Sequence, residues 1–228
     1  MKLAALFSGG KDSCFSLYHA LSSGWEVARL VSVFSESTES YMYHVPNIQL
    51  SSLSSKALGI PQKIVRASGE KELELEPLKL ALEEVAREDG IEGVLSGALA
   101  SEYQKTRVER ICHELGLKSF APLWHKSQPQ LLREQVRAGF ESVFVGVYAQ
   151  GFTQDWLGRR LDERAVSDLE ALNKSHGVSV GGEGGEYETL VLDCPLFSRR
   201  IKINRAERTW DGVRGEFLVK DAELEGKA

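Results

Sequence analysis

The stretch Ser8-Gly9-Gly10-Lys11-Asp12-Ser13 gathers two hydroxyls, two glycines, a lysine and a carboxylate within six residues, a combination suited to holding a polyphosphate. Glycines at 9 and 10 let the backbone turn sharply and come close to an oxygen. Ser8 and Ser13 add hydroxyl donors, and Lys11 brings a point charge to the anion. Asp12 is the discordant member. A carboxylate beside phosphates repels them unless it caps a helix or holds Mg²⁺, and both uses stay open. The fixed letters of S-G-G-x-D-S occur by chance in only about 10⁻⁴ to 10⁻³ of chains of this length, which favours a ligand loop over an ordinary glycine turn. The pattern is neither G-x4-G-K-[ST] nor G-x-G-x-x-G.

Residues 181 to 189 read Gly-Gly-Glu-Gly-Gly-Glu-Tyr-Glu-Thr, four glycines and three carboxylates. A lone acidic run is normally a solvated face. Here the glycines carry a backbone-entropy cost, and a strand with period two starting in this stretch sets Glu186 and Glu188 on one side. Like charges crowded in that way serve a cation or a proton transfer. A third group, Ser96-Gly97-Ala98 followed by Ser101-Glu102-Tyr103-Gln104-Lys105-Thr106-Arg107, has an even choice of roles. Ser101 can cap a helix, and Lys105 and Arg107 suit either a helix surface or a ligand.

Positioning these groups requires the elements between them. Leu3–Phe7 has the pattern of a buried strand, and Asp12–Leu21 that of a helix face stopped at Gly24. Strands over Val27–Phe34, Lys63–Ala67 and Glu92–Ser96 alternate with helices over Ile48–Leu58, Pro77–Glu88, with Pro at its first position, and Glu102–Leu115. That alternation predicts an α/β fold, a Rossmann-like (HUP-type) parallel sheet with helices on both faces. Ligands bind such sheets at the strands' carboxyl ends, which points to Ser32, Val33 and Phe34 at the end of the second strand, and to Gly97, as ligand contacts.

After Phe120 the pattern becomes that of a smaller C-terminal α+β domain. It has helices near Gln130–Arg137 and Asp162–His176, and strands at Ser142–Tyr148, Tyr187–Leu192, Arg199–Trp210 and Glu216–Val219. The expected division is 1–120 and 121–228, with a cleft between the halves. Residues 35–45, with Tyr41, Tyr43 and His44, are expected as a mobile loop that could serve as a lid.

Composition narrows the function classes. The 228 residues, 42% hydrophobic and 27% charged, describe a soluble globular chain able to bury a core without staples. A net charge of −5 argues against a wide nucleic-acid footprint. Cys14, Cys112 and Cys194 have no metal-ligand or disulfide spacing, which fits a reducing cytoplasm. No apolar stretch is long enough for a signal peptide or a membrane span. His19, His113 and His176 lack metal spacing and are expected at helix surfaces or ends.

The SGGKDS loop is similar to that of the ATP pyrophosphatases (PP-loop, adenine nucleotide α-hydrolase-like), which split ATP to AMP and pyrophosphate while adenylating a substrate oxygen. With SGA-x-x-SEYQKTRVE and GGEGGEYET in the same order, the chain resembles the diphthine-ammonia ligase family along nearly its whole length. The resemblance implies ATP-dependent amidation of diphthine on translation elongation factor 2. Diphthine is a modified histidine bearing a carboxylate and a trimethylammonium. Implied with it are Mg²⁺, ammonium as nitrogen source, and a cytoplasmic enzyme without membrane or stable nucleic-acid partners; a homodimer stays open.

On this basis Ser8 to Ser13 bind ATP, and Lys11, Asp12, Glu183 and Glu186 are the catalytic candidates, with Asp12 as the Mg²⁺ candidate. Tyr103, Gln104, Arg107, Glu183, Glu186, Tyr187, Glu188 and Thr189 bind substrate. Tyr187 between Glu186 and Glu188, joined by Tyr103, is expected to cage the trimethylammonium, and Glu183 or Glu186 competes for the role of ammonium base. The rival functions are adenylation of another substrate such as RNA, and a non-catalytic nucleotide sensor.

Overall fold

In the computed structural model the first strand, β1 (Lys2–Leu6), lies between β2 (Glu26–Ser35) and β4 (Gly93–Leu95), parallel to both. The structure describes residues 1–35, 47–67 and 75–227. With β3 (Gln62–Ala67) and β5 (Lys118–Phe120) these strands form a five-stranded parallel sheet of order β3-β2-β1-β4-β5. Alternation along the strands feeds two cores. Leu3 and Ala5 meet Phe15 and Leu17 of α1 (Lys11–Ser22) and Ala57 of α2 (Ser51–Leu58). Ala4, Val31 and Val94 meet Leu78, Leu82 and Val85 of α3 (Leu75–Asp89) and Val108 and Ile111 of α4 (Glu102–Glu114). Helices therefore cover both faces, as the β-α alternation requires.

The order in which strands are added reverses between β1 and β4, so the loops leaving the carboxyl ends of these two parallel strands diverge and frame one crevice. Those loops are Ser8–Gly10 and Ser96–Ser101. Two expectations shift. Pro77 is the third residue of α3 rather than its first, and the first turn tolerates proline because its N–H groups lack intrahelical acceptors in any case. The three-residue edge strand β5 was not foreseen; it is held by pairing to β4 and has no apolar run of its own.

The C-terminal half is an antiparallel sheet of order β7-β6-β9-β8. Its elements are α5 (Gln128–Arg137), β6 (Glu141–Val147), α6 (Glu163–His176), β7 (Tyr187–Asp193), β8 (Arg199–Trp210) and β9 (Gly215–Gly226). One face packs Phe144 and Val147 on Leu132 of α5 and Val166 and Leu169 of α6. The other face sends Val143, Val145 and Val191 into the core that contains α1. Helix α1 thus lies between the two sheets, with Phe15 edge-on to Phe140 at 5.3 Å.

Strand β9 continues to Gly226, well past the expected end at Val219. Its outer half is charged and is held by backbone pairing to β8 and by cross-strand pairs such as Lys202–Glu225 at 3.1 Å, so no apolar alternation announces it. Polar links tie the halves together, among them the following. The Val191 N–H donates to the Gly9 carbonyl at 2.9 Å. The Asn47 amide donates to the Phe217 carbonyl and accepts from the Val219 N–H, both at 2.8 Å. Of the loop expected at 35–45, all but the backbone of Ser35 lies outside the described residues. Among the described residues, no helix is long and apolar enough to cross a membrane.

Candidate active site

A cleft of about 1200 Å³ opens where the two sheets meet. Its walls come from the loop after β1, the segment from Ser96 into α4, the loop before β7, and the tip of the β8–β9 hairpin. The three sequence groups, far apart in the chain, converge there.

Gly9 has φ +81°, the left-handed region open to glycine, and its carbonyl faces β7; it shapes the turn and is not part of the cleft wall. Ser8, Gly10, Lys11, Asp12 and Ser13 do line the cleft. Two loop amides expected for an anion are engaged within the protein: the Gly10 N–H donates to Ser8 Oγ at 3.2 Å and the Lys11 N–H to Thr189 Oγ1 at 3.1 Å. Both partners are hydroxyls, which can swivel to donate when a phosphate takes the amides.

Lys11 is buried, and its Nζ donates to Asp12 Oδ2 at 2.5 Å and to the Gly181 carbonyl at 2.7 Å. Burial works against its charge, but the Asp12 carboxylate and the Tyr187 ring environment outweigh burial and raise the pKa, so the ammonium is permanent. Asp12 caps nothing: α1 has Gly10 as N-cap with no side-chain bond. The capping alternative falls, because the carboxylate is drawn sideways to Lys11 and to the Gln135 amide, 3.3 Å from its Oδ1.

Gly97 lines the cleft and presses on this loop. A β-carbon there would stand 2.8 Å from the Ser13 nitrogen and 2.9 Å from the Asp12 carbonyl carbon, both backbone atoms. Gly97→Ala is therefore expected to lower stability by about 1–3 kcal/mol and to weaken ATP binding by displacing the loop. Thermal melting and calorimetric titration read the two effects, and an alanine variant that melts and binds like the parent would show that the loop yields freely.

The ligand contacts expected on β2 divide by side. Val33 lines the cleft together with Val31 and Leu6. Ser32 and Phe34 do not, because alternate side chains leave opposite faces, and Ser32 donates to the Phe7 carbonyl at 2.5 Å. In α4, Tyr103 and Gln104 face the cleft, whereas Arg107 stacks on the Tyr103 ring, 3.3 Å from its centroid, and is not part of the wall. Ser101 takes the capping role, accepting from the Gln104 N–H.

The glycine-rich loop sends one carboxylate across the cleft. Glu183 accepts from the N–H groups of Ala100 at 2.7 Å and Ser101 at 3.1 Å. Burial, followed by the Asp12 charge, raises its pKa against the pull of the Ala100 N–H and Lys11. Glu186 turns the other way. Its carboxylate accepts from the N–H groups of Ser179 at 3.1 Å and Gly184 at 2.8 Å, tying the loop to itself outside the cleft wall.

The strand begins at Tyr187, so Glu186 and Glu188 do not share a strand side, and Glu186 is neither cage nor base here. Tyr187 is 2% exposed, packed on Phe144 and Phe152, with its hydroxyl donating to the Val180 carbonyl and Lys11 Nζ 5.2 Å from the ring centroid. It borders the cleft, but its ring already faces the Lys11 ammonium and is otherwise packed in the core, which speaks against a second cation on it. Tyr187, Glu188 and Thr189 all line the cleft.

Sequence inspection missed Gln135, which reaches Asp12 from α5, and Tyr148 and Glu216, which line the far end of the cleft. Tyr148 ends an expected strand directly after Gly146-Val147, a context with no mark of its own. All three cysteines are buried.

ATP fits this cleft. The apolar wall of Leu6, Val31, Val33 and Val108 suits a base, and Gly10, whose β-carbon would stand 3.2 Å from the Thr189 carbonyl, leaves room for close approach. Among the described residues no three His, Cys, Asp or Glu side chains converge on one point. Mg²⁺ needs only one or two carboxylates beside substrate phosphates, and Asp12 on the cleft wall meets that need.

Comparison with known proteins agrees along the chain. Residues 1–119 match the family model of the diphthamide synthase N-terminal domain and residues 127–224 that of the C-terminal domain. A diphthine–ammonia ligase of Rattus norvegicus is 37% identical over 91% of this chain and 84% of its own length. The Homo sapiens protein of that name is 35% identical with the same coverage. That of Schizosaccharomyces pombe is 38% identical over 91% of this chain, which corresponds to 37% of the longer yeast protein.

Proposed function

We infer the activity from kinship: the chain belongs to the diphthamide synthase family, matched in both halves, and it amidates diphthine with ATP and ammonia as its relatives' name describes. The acceptor protein is elongation factor 2, and the nitrogen enters as ammonium. The observation that carries this conclusion to the chemistry is the convergence of the Ser8–Ser13 loop, the Tyr103 segment and Glu183 on one cleft.

ATP lies with its base on Leu6, Val31 and Val33 and its phosphates at Ser8, Gly10 and Ser13. The diphthine carboxylate attacks the α-phosphorus, the bond to the β-phosphate oxygen breaks, and pyrophosphate leaves. Lys11 supplies fixed positive charge beside the leaving group, where preorganised charge is most effective. Mg²⁺ on Asp12 would add neutralisation of the same charge. Glu183, with its raised pKa, takes a proton from ammonium. Ammonia then attacks the acyl carbon and AMP departs as the acyl C–O bond breaks. Elongation factor 2 as the acceptor implies that the enzyme works in the cytoplasm.

The test incubates the protein with ATP, Mg²⁺, ammonium and diphthine-bearing elongation factor 2. AMP with pyrophosphate, and a modified peptide lighter by about one mass unit for OH replaced by NH2, is the expected result. AMP without peptide conversion would reopen the acceptor, and ATP that stays uncleaved with every acceptor would favour the sensor.

A further inference from the structure

The far end of the cleft has a chemistry unlike that of the phosphate loop. Glu188 of β7, Gly146 of β6, Glu216 of β9 and Thr209 of β8 stand opposite one another in successive strands. Cross-strand neighbours leave the same face of a sheet, so two carboxylates flank a glycine there. Tyr148, two residues beyond Gly146, folds its ring back over that glycine. A β-carbon on Gly146 would stand 2.7 Å from ring Cζ and 2.8 Å from Cε2, so only glycine lets the ring lie there.

The Tyr148 hydroxyl donates to Glu216 Oε1 at 3.1 Å. Burial, Glu216 and Glu188 together hold it protonated. Tyr148, Glu188 and Glu216 all line the cleft that contains Lys11 and Glu183. The residue after Glu188 is Thr189, which bonds the Lys11 amide, so one strand connects the two ends of the cleft within a single residue.

Carboxylates on both sides exclude an anion. The carboxylates attract any cation, and the aromatic face laid between them adds the contact that suits a bulky alkylated ammonium, which cannot donate hydrogen bonds. We propose that the Tyr148 ring, laid over Gly146 and flanked by Glu188 and Glu216, is the platform for the trimethylammonium group of diphthine. This assignment rests on the amidation described above. It moves the cation from the buried Tyr187, where the sequence pattern had set it, to the opposite side of Glu188.

The experiment measures amidation of diphthine-bearing elongation factor 2 by the wild type and by Tyr148→Leu, Tyr148→Phe and Gly146→Ala, with tetramethylammonium chloride as competitor against sodium chloride at equal ionic strength. Wild-type amidation is expected to be inhibited competitively by tetramethylammonium and not by sodium. Tyr148→Leu and Gly146→Ala should raise the KM for elongation factor 2 about 3- to 30-fold, the span of a cation–π contact, and lose the inhibition. Tyr148→Phe keeps a ring and should keep the inhibition, a rescue that loss of the hydroxyl or of general packing would not produce. Melting temperatures identify a variant that has merely unfolded, and the folded one of Tyr148→Leu and Gly146→Ala, compared with Tyr148→Phe, then decides. A KM within twofold of wild type and retained inhibition in folded Tyr148→Leu would overturn the platform while leaving the amidation standing. Absence of amidation by the wild type would overturn both.

Discussion

Glu183→Gln is expected to abolish amide formation while leaving the fold and the adenylation step in place. The glutamine carbonyl can still accept from the Ala100 and Ser101 N–H groups that hold Glu183 at 2.7 and 3.1 Å, so the bridge between the glycine loop and the start of α4 survives. What disappears is a proton acceptor whose pKa is raised by burial and then by Asp12, which makes it a stronger base toward ammonium than an ordinary carboxylate.

Loss of a positioned base costs about 10²- to 10⁴-fold. That loss should appear in amide production and not in the exchange of labelled pyrophosphate into ATP, which reports only formation and reversal of the adenylate. If exchange falls as far as amide formation, Glu183 serves adenylation and the base lies elsewhere. Two pH dependences follow. Wild-type amide formation should rise with pH through the Glu183 ionisation, and the glutamine variant should lose that limb.

Stability should change in the opposite sense. A carboxyl whose pKa is higher in the folded than in the unfolded chain keeps its proton more tightly when folded. Its favourable contribution is present below the ordinary glutamate pKa of about 4.3 and is lost as pH rises through the raised folded value. The glutamine variant has no such loss, so its melting temperature relative to wild type should improve as pH rises from about 4.3 through the raised folded value. A variant that melts progressively lower than wild type over that interval would contradict the assigned burial.

Lys11→Met carries the other large effect. The Lys11 side chain is 5% exposed and ion-paired with Asp12, itself 22% exposed, and Nζ also holds the Gly181 carbonyl. Truncating one member of a fully buried pair costs about 3–5 kcal/mol. Partial exposure of Asp12 reduces this, so about 1–3 kcal/mol of stability is expected to go. ATP turnover should fall at least about 100-fold, the scale on which a preorganised charge beside a leaving group acts.

The double variant Lys11→Met/Asp12→Asn separates the two losses. Removing the stranded carboxylate should recover much of the melting temperature, with a coupling energy of about 0.5–3 kcal/mol, yet turnover should stay low because the cation is still missing. Recovery of turnover along with melting temperature would reduce Lys11 to a structural partner of Asp12. Arginine is not a substitute there, since a wider guanidinium would meet the Gly181 carbonyl and the Tyr187 ring, 5.2 Å from Nζ.

The part of this protein written locally in its sequence is the Ser8–Ser13 loop and the sheet that presents it. Ser8 to Ser13 sits between a strand and a helix because Leu3–Phe7 and the 3.6-residue spacing of Cys14, Phe15, Leu17 and Leu21 are properties of neighbouring residues. The β-α alternation carries the parallel sheet for the same reason, and Gly97 reaches the cleft wall because topology puts it just after β4.

Which side of a segment faces the cleft was decided only when the two halves packed. Glu186 and Glu188 are two residues apart, but one folds back on its own loop and the other joins a strand, since Tyr187 is drawn into the core by Phe144 and Phe152 from elements some forty residues earlier in the chain. Gln135 meets Asp12 across 123 residues, and Lys11 meets Thr189 across 178. Tyr148 acquires its place only because Gly146 brings Glu188 and Glu216 alongside it from two other strands. Local spacing determines elements and a loop for phosphate, whereas contacts between distant segments depend on sheet register and on which apolar faces bury one another, and these exist only in the folded chain.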